Sequence, residues 1–477
     1  MLSCEEHIKY FSKSLVPEIQ EKLTGKQVKN YELKPVNQLD GFMSSLYRGE
    51  IKTESSKGEV EKFELIVKFM KGDKHFRVSS KSYEQFANEI FIYSKVIPYY
   101  DEIIEKSGVK SVSSKNWIAD VFVAKFGVFP DLSSDPESIL AMENLSPKGY
   151  TMGPPLLLDK NHLLRMTKPL AEYHSLSYVL RITKDQKLEQ FKNDIIYLPW
   201  HEELPTKNLY YSIYKAALDR FLRYFDKISS RFTESEEDLK FVENVNRLRT
   251  KYGSCPTKLL ETFRNETDEF AAILHGDFNR NNVLFKYPRS DKNSSISSLQ
   301  TSSSSFPVPE DVKMIDFQEL RYGTPALDLS FYMYMNMDPS IRDEFWLELL
   351  KYYHETMYKT LSDIVNGLAT KITLNSDVDD ASTTAAAYRE SLTLYSFDNF
   401  YENFSKSAFY GVMVCMHFLP WLVGTKEECA KLSHLFESDM HGDEFYQVSL
   451  AAGGDEADEK IMEVVRHSSR MGYMDRL

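Results

Sequence analysis

The sequence predicts an α+β chain in two lobes, a small one built mainly of strands and a large one built mainly of helices. Three observations lead there. The chain has 477 residues, and single hydrophobic cores stop growing at roughly 250–300 residues, so two bodies are expected. Residues 1–142 carry period-two apolar patterning, whereas from Asp159 onward the helical period dominates. Hydrophobic residues make up 42% of the chain and aromatic residues 13%, enough to fill interiors and unlike the composition of disordered segments.

The elements follow in order. Leu46–Ile51 reads as a short strand, and Lys62–Met70 as a clearer one: Phe63, Leu65, Val67 and Phe69 alternate with Glu64, Ile66, Lys68 and Met70. Over Tyr83–Ile97 the period lengthens. Phe86, Ile90, Tyr93 and Ile97 share one helical face, and Pro98 is expected to end the run. Ile118–Phe126 and Ser138–Met142 are further strands. Asp159 is a candidate N-cap for a helix through Leu163, Met166, Leu170, His174 and Tyr178. Helices are expected over Tyr210–Lys227, Glu236–Lys251, Ile341–Ile364 and Phe400–Leu422. Strands within Ala271–Phe285 and at Val312–Phe317 interrupt them. The Ser-rich stretch 290–309 between these strands reads as a flexible excursion, which the slow growth of loop-closure entropy tolerates. No internal repeat is present.

A formal net charge of −13 argues against a nucleic-acid or anionic-membrane surface, which needs a broad positive field. Cys4, Cys255, Cys415 and Cys429 have no zinc or redox-motif spacing and suit a reducing compartment. The N-terminal residues are charged from Glu5 onward and lack the apolar core of a signal peptide, so a cytoplasmic location is expected. Tyr410–Val423, interrupted by His417 and Pro420, falls short of the roughly 20 residues that span a bilayer and reads as a buried helix.

Two segments carry chemistry: His275–Phe285 (HGDFNRNNVLF) and Met314–Gln318 (MIDFQ). Phosphoryl transfer needs a carboxylate to take the proton of an attacking hydroxyl and oxygen ligands for Mg²⁺. Asp277 supplies the base, Asn282 five residues on supplies one metal ligand, and Asp316 after the next apolar strand supplies another. Alone, Asp277 and Asn282 would pass for turn residues; His275, the second motif and the flanking strands make the kinase reading the better one. Upstream, Lys68 on its strand and Glu89 on the following helix match the lysine that steadies phosphates and the glutamate that holds it. Leu39–Tyr47 (LDGFMSSLY) is the candidate phosphate-covering loop, with Gly41 and Ser44 as its donors. Met142-Glu143-Asn144-Leu145 is the candidate connector, where Glu143 and Leu145 would meet the adenine edge. His174 on an apolar helix face reads as a core histidine, and Asp328 as a support for the catalytic loop.

These residues resemble the ecdysteroid kinase-like family, whose choline-kinase-like (CHK kinase-like) domain is related to aminoglycoside phosphotransferases. The family's H-G-D-x-W-x-N-N is matched by His275, Gly276, Asp277, Asn281 and Asn282, and its I-D-F-Q and P-A-x-D-L by Ile315–Gln318 and Pro325–Leu329. Glu143-Asn144-Leu145 matches its connector, Lys68 its lysine strand, and Phe86, Glu89 and Tyr93 its helix. The resemblance runs from about Gln38 to about Leu422. Phe278-Asn279 replaces the common Leu-Trp, a change expected to lie beside the chemistry rather than in it. In the nucleotide loop Leu39 and Gly41 depart from the pattern while Ser44 is retained.

The resemblance implies a two-lobed, protein-kinase-like fold that uses ATP and Mg²⁺ on a small-molecule hydroxyl acceptor, with ecdysteroids the named example. Residues 1–142 would form the nucleotide-binding lobe and 143–477 the catalytic and acceptor-binding lobe. A choline/ethanolamine-type kinase and a non-catalytic, pseudokinase-like binder are the alternatives. A protein kinase is disfavoured because Asp316 is followed almost at once by TPALDLS and a helix, leaving little platform for a peptide. Aromatics from Phe331 to Phe418 are a candidate supply for an apolar acceptor pocket, with Asp398 and Glu402 the acidic residues that would instead suit a cation. Oligomeric state is not legible in the sequence.

Overall fold

Ser3 accepts the Glu6 N–H while the Glu6 carboxylate takes the Ser3 N–H, a reciprocal box that starts the first helix. In the computed structural model, which describes residues 2–36, 44–154, 157–202, 208–264, 268–288, 307–375 and 379–477, α1 (Cys4–Tyr10) passes through a widened turn at Phe11–Leu15 into α2 (Val16–Lys22). Its apolar side, including Phe11, Leu15 and Ile19, packs on a five-stranded antiparallel sheet. The strands are β1 (Lys26–Pro35), β2 (Ser44–Ser55), β3 (Val60–Met70), β4 (Val121–Phe129) and β5 (Ser133–Glu143), in the order β1-β2-β3-β5-β4. On central β3 the alternation holds as read: Leu65, Val67 and Phe69 enter the core beneath the N-terminal helices. Lys68, paired in register with Leu46 and Leu140, points to the other face.

That face is covered by α3 (Lys74–Ser79) and α4 (Ser82–Phe91). Pro98 does not end the run predicted over Tyr83–Ile97. Instead a widened turn at Ile92–Val96 leads directly into α5 (Ile97–Ser107), with Pro98 in its first turn. Proline lacks the donor an α-helix would need there, and the widened turn has already broken the regular ladder. The continuous rod therefore starts against the sheet and ends in the main core, where Ile97, Tyr100, Ile103 and Ile104 are buried.

After β5 helices prevail. The segment comprises β6 (Tyr150–Met152), α6 (Lys160–Ile182), α7 (Gln186–Asp194), α8 (Leu209–Ile228), α9 (Glu236–Tyr252) and α10 (Pro256–Thr262). Then come β7 (Ala272–Leu274), β8 (Val283–Lys286), β9 (Asp311–Met314) and β10 (Arg321–Gly323). The chain ends in α11 (Ala326–Asn336), α12 (Pro339–Asn375), α13 (Asp379–Ser391), α14 (Phe397–Ser407), α15 (Phe409–Val423), α16 (Lys426–Asp439), α17 (Asp443–Ala451) and α18 (Gly454–Arg470). This small β-rich body joined to a large helical one is the two-lobed, protein-kinase-like fold the sequence predicts. Asp159 caps α6 by accepting the His162 N–H. α6 is buried along most of its length and packs on α12.

The helix expected over Phe400–Leu422 is two helices, α14 and α15, bent by 46° at Ala408. The bend lays Gly411 on Ser330 of α11, where a Cβ would stand 2.3 Å from a backbone carbon, so only glycine allows this approach. Among the described residues no single helix is long and apolar enough to cross a membrane; the bent pair has the apolar length, but α15 is packed among α8, α11 and α18. Most of the Ser-rich stretch 290–309 lies outside the described residues. Its flanks do meet, since β8 and β9 pair from Val283↔Met314 to Lys286↔Asp311.

Candidate active site

Between β7 and β8 the chain makes one tight turn that holds most of the polar groups. Gly276 has φ +86°, and a Cβ there would lie 1.8 Å from the Glu319 carbonyl oxygen, so the glycine of the motif is a steric requirement. The Asp328 carboxylate, buried at the start of α11, accepts the backbone N–H groups of His275 (2.7 Å) and Gly276 (2.8 Å). His174 of α6 lies 3.2 Å from the same carboxylate and 2.8 Å from the Tyr353 hydroxyl. Asp328 thus supports the loop, as read from the sequence, and His174 is a core histidine whose two ring nitrogens both have partners. Burial lowers the His275 imidazole below its usual value, and its Nε2–H donates to the Ile315 carbonyl at 3.0 Å, tying the two motifs together.

The Asp277 carboxylate is gripped from both sides. The Asn282 side-chain amide donates to one oxygen at 2.7 Å and the Asn279 amide to the other at 2.9 Å. The change at Phe278-Asn279 does not stand apart from the candidate site: Asn279 touches the Asp277 carboxylate directly, an outcome hidden in the sequence because its partner is two residues back across a turn. Burial, reinforced by the nearby charges of Asp316 and Glu319 and opposed by the two amides, pushes Asp277 up to about 8.

Lys68 reaches across the cleft. Its ammonium lies 2.9–3.0 Å from the Glu89 carboxylate and 2.7 Å from Asp316 Oδ1. Burial works against the lysine's charge, but the two carboxylates prevail and hold its pKa above the ordinary value. Burial likewise pushes Glu89 upward, against the ammonium that favours its ionised form. Asp316 follows β9 with φ +68°, a left-handed backbone that non-glycine residues rarely adopt. Strand, helix and the second motif thus converge on one ion-pair cluster.

The connector is equally ordered. The N–H of Glu143 donates to Asp120 O and that of Asn144 to Glu64 O, each at 2.8 Å, while Leu145 is buried with Ala119 and Tyr150. Ser44 opens β2 opposite Met70. Gly41, with Leu39–Met43, lies outside the described residues.

A cavity of about 410 Å³ opens onto Asp277. Ser80, Gln85, Asn281, Gln318 and Glu319 gather at its catalytic end, and Trp200, Tyr210, Tyr214, Phe331, Tyr410, Phe418 and Trp421 form much of its wall. Of the aromatics singled out in the sequence, Phe331, Tyr410 and Phe418 reach it; Trp346, Tyr334 and Phe404 are core. Asp398 and Glu402 do not line it, and Glu402 pairs with Lys406. The wall of α8 was not legible because its aromatics follow ordinary core spacing. Glu319 was open to notice, as a charge directly after the second motif.

Which residues could hold a metal follows from this crowding. Among the described residues no group of three or more His, Cys, Asp or Glu forms a metal cage. Mg²⁺ at phosphate sites needs only one or two protein ligands, however, and the like charges of Asp277 and Asp316 are what a cation would relieve. The oxygen donors Asp316 and Asn282 fit it.

Two solved structures are similar in part. A GDP complex of an aminoglycoside 2'-phosphotransferase variant is 12% identical, covering 82% of this chain and 98% of that one, with a TM-score of 0.30. An ADP-bound aminoglycoside phosphotransferase, APH(2'')-Ib, is 14% identical, covering 81% and 99%, with a TM-score of 0.27. No curated protein matches the chain. The family model described as the ecdysteroid kinase-like family matches residues 38–365, more than half of the sequence. With that match the chain belongs to the ecdysteroid kinase-like family, a kinase-like phosphotransfer family.

Proposed function

We propose that the protein transfers the γ-phosphoryl group of ATP to a hydroxyl of a lipophilic alcohol, an ecdysteroid-like steroid fitting best. One observation carries this reading: the aromatic cavity has Asp277 at its polar end, in the same cleft where Lys68 bridges Glu89 and Asp316. The nucleotide belongs against residues 1–142 and the acceptor mainly within 143–477, with Ser80 and Gln85 of the first lobe also reaching the cavity.

Asp277 takes the proton of the acceptor hydroxyl as it attacks. The Asn279 and Asn282 amides fix the carboxylate so that little reorganisation is needed at that moment. Lys68 steadies the phosphates, and Glu89 holds it in place. Ser44 and Gly41 are assigned to phosphate contacts, and the backbones of Glu143 and Leu145 to the adenine edge. Asp316 and Asn282 would hold Mg²⁺, whose charge offsets that of the phosphate oxygens when it is bound. The aromatic wall excludes water from the acceptor.

The test is acceptor-dependent ATP consumption with ecdysone, choline, ethanolamine and an aminoglycoside under one set of conditions. Turnover with ecdysone is expected to dominate. Preference for choline or the aminoglycoside overturns the acceptor class. Nucleotide binding without turnover on any acceptor overturns the catalytic reading in favour of a binder.

A further inference from the structure

One face of α15 lines the cavity: Tyr410, Val414, His417, Phe418 and Trp421. The spacing is that of a single helical stripe, so these side chains all look into the same space. Four of the five are aromatic or aliphatic. The fifth is an imidazole, with ring centroids 4.8 Å from Phe418, 6.1 Å from Trp421 and 6.5 Å from Tyr214. Burial alone pushes it down to about 3, so the ring is neutral and presents one donor and one acceptor. No hydrogen bond to either nitrogen forms among the described residues. The ring is part-buried and its nitrogens are not sealed from solvent, so a molecule that enters the cavity can take the place of water as their partner.

The rest of the cavity says what kind of molecule enters. Its catalytic end carries Glu319, but that carboxylate is already engaged. Gln85 donates to it at 2.5 Å, the Tyr210 hydroxyl at 3.1 Å, and the Arg321 guanidinium at 3.0 Å. Arg321 is buried and stacked 4.2 Å from the Trp200 ring, so its charge stays beside that of Glu319. The pair cancels the charge that Glu319 would otherwise offer a cationic acceptor in this aromatic setting. Polar function in the cavity is thus divided between the catalytic end and the α15 wall.

We propose that His417 determines specificity by hydrogen-bonding a second oxygen function of an uncharged acceptor, away from the hydroxyl presented to Asp277. This rests on the reading of the cavity as the acceptor site. His417 lies beyond residue 365, outside the segment that the family model covers, so the assignment comes from this chain's own geometry.

The probes are ecdysone, with several oxygen functions, and cholesterol, with one hydroxyl. Binding is read by quenching of Trp200 and Trp421, which line the cavity, and phosphorylation by acceptor-dependent ATP consumption. The wild type is expected to bind ecdysone at least about tenfold more tightly than cholesterol. His417→Leu is expected to remove about tenfold of ecdysone affinity, the scale of one buried hydrogen bond, with the loss falling in KM rather than kcat, while cholesterol affinity moves less than about twofold. His417→Gln, which keeps a donor and an acceptor, should restore most of the difference. If His417→Leu does not fold by circular dichroism, His417→Phe replaces it.

An ecdysone preference that survives the apolar variants, an equal loss for both steroids, or no binding of either steroid overturns the proposal. If the binding pattern holds but no steroid is phosphorylated, the phosphotransfer reading fails and the role of His417 stands. If ecdysone is phosphorylated but the variants leave its KM unchanged, the reverse is true.

Discussion

At the scale of single residues, the cleft is a contest between burial and pairing. Asp277 sits where its charge is disfavoured, yet two amides and a glycine that admits no side chain hold it in one orientation. Asp277→Asn should therefore lose about 10²–10⁴-fold in turnover, the usual range for a general base, while ATP affinity stays near normal, because the proposed role of the carboxylate is on the acceptor's proton. Retention of more than about a tenth of turnover in steady-state assays contradicts that role. Asn279→Ala is the subtler experiment. It removes one of the two side-chain amides from the carboxylate, and turnover should fall roughly tenfold, in line with a charge-assisted hydrogen bond, with ATP titrations unchanged. Equal kinetics in the variant and wild type would return Asn279 to a bystander.

At the scale of elements, what was legible in the sequence depended on how local the signal is. Asp277, Asn282 and Asp316 sit in two short motifs that can be read together with their flanking strands, and β3 shows its two faces by plain alternation. Lys68 and Glu89 could be matched because strand and helix follow one another directly. The aromatic wall of the cavity could not. Trp200, Tyr210 and Tyr214 join Phe418 and Trp421 only through packing between segments some 200 residues apart, and an aromatic on a buried helix carries no mark of facing a cavity. Pro98 misled for a related reason: the proline rule assumes a regular ladder, and the ladder is already widened before it. The β8–β9 pair yields a prediction of its own. Because Lys286 and Asp311 are held in register, replacing residues 289–306 with a short Gly/Ser turn should leave the melting temperature within a few degrees, since closure entropy changes slowly with length. A collapse in soluble expression would show that the replaced residues contribute to folding.

At the scale of the whole molecule, one ion-pair cluster spans the cleft. Lys68 comes from the sheet, Glu89 from the helical rod that runs into the main core, and Asp316 from the catalytic side. Lys68→Met strands the buried Glu89 without its cation, and breaking one side of such a pair costs about 3–5 kcal/mol; the melting temperature should drop and then recover partly in Lys68→Met/Glu89→Gln. Mg·ATP at about 100 times its dissociation constant should stabilise the wild type by about 2.7 kcal/mol and neither variant comparably. Thermal shift measured with and without Mg·ATP checks both statements, and a full ligand-induced shift in the variants would dismiss Lys68 as a phosphate contact.

The left-handed backbone at Asp316 has a consequence for the stability of this cleft. Any residue with a Cβ is strained at φ +68°, whereas glycine is at ease. Asp316→Gly and Asp316→Ala discard the same carboxylate and should be equally inert as catalysts, yet urea unfolding should find the glycine variant more stable by about 1 kcal/mol, the opposite of the order seen within helices. Equal midpoints would mean that the turn relaxes when the side chain is cut back. If the difference holds, the easiest backbone at this position belongs to glycine, and the aspartate stands there at a cost in stability that its pair with Lys68 and its proposed part in holding Mg²⁺ have to offset.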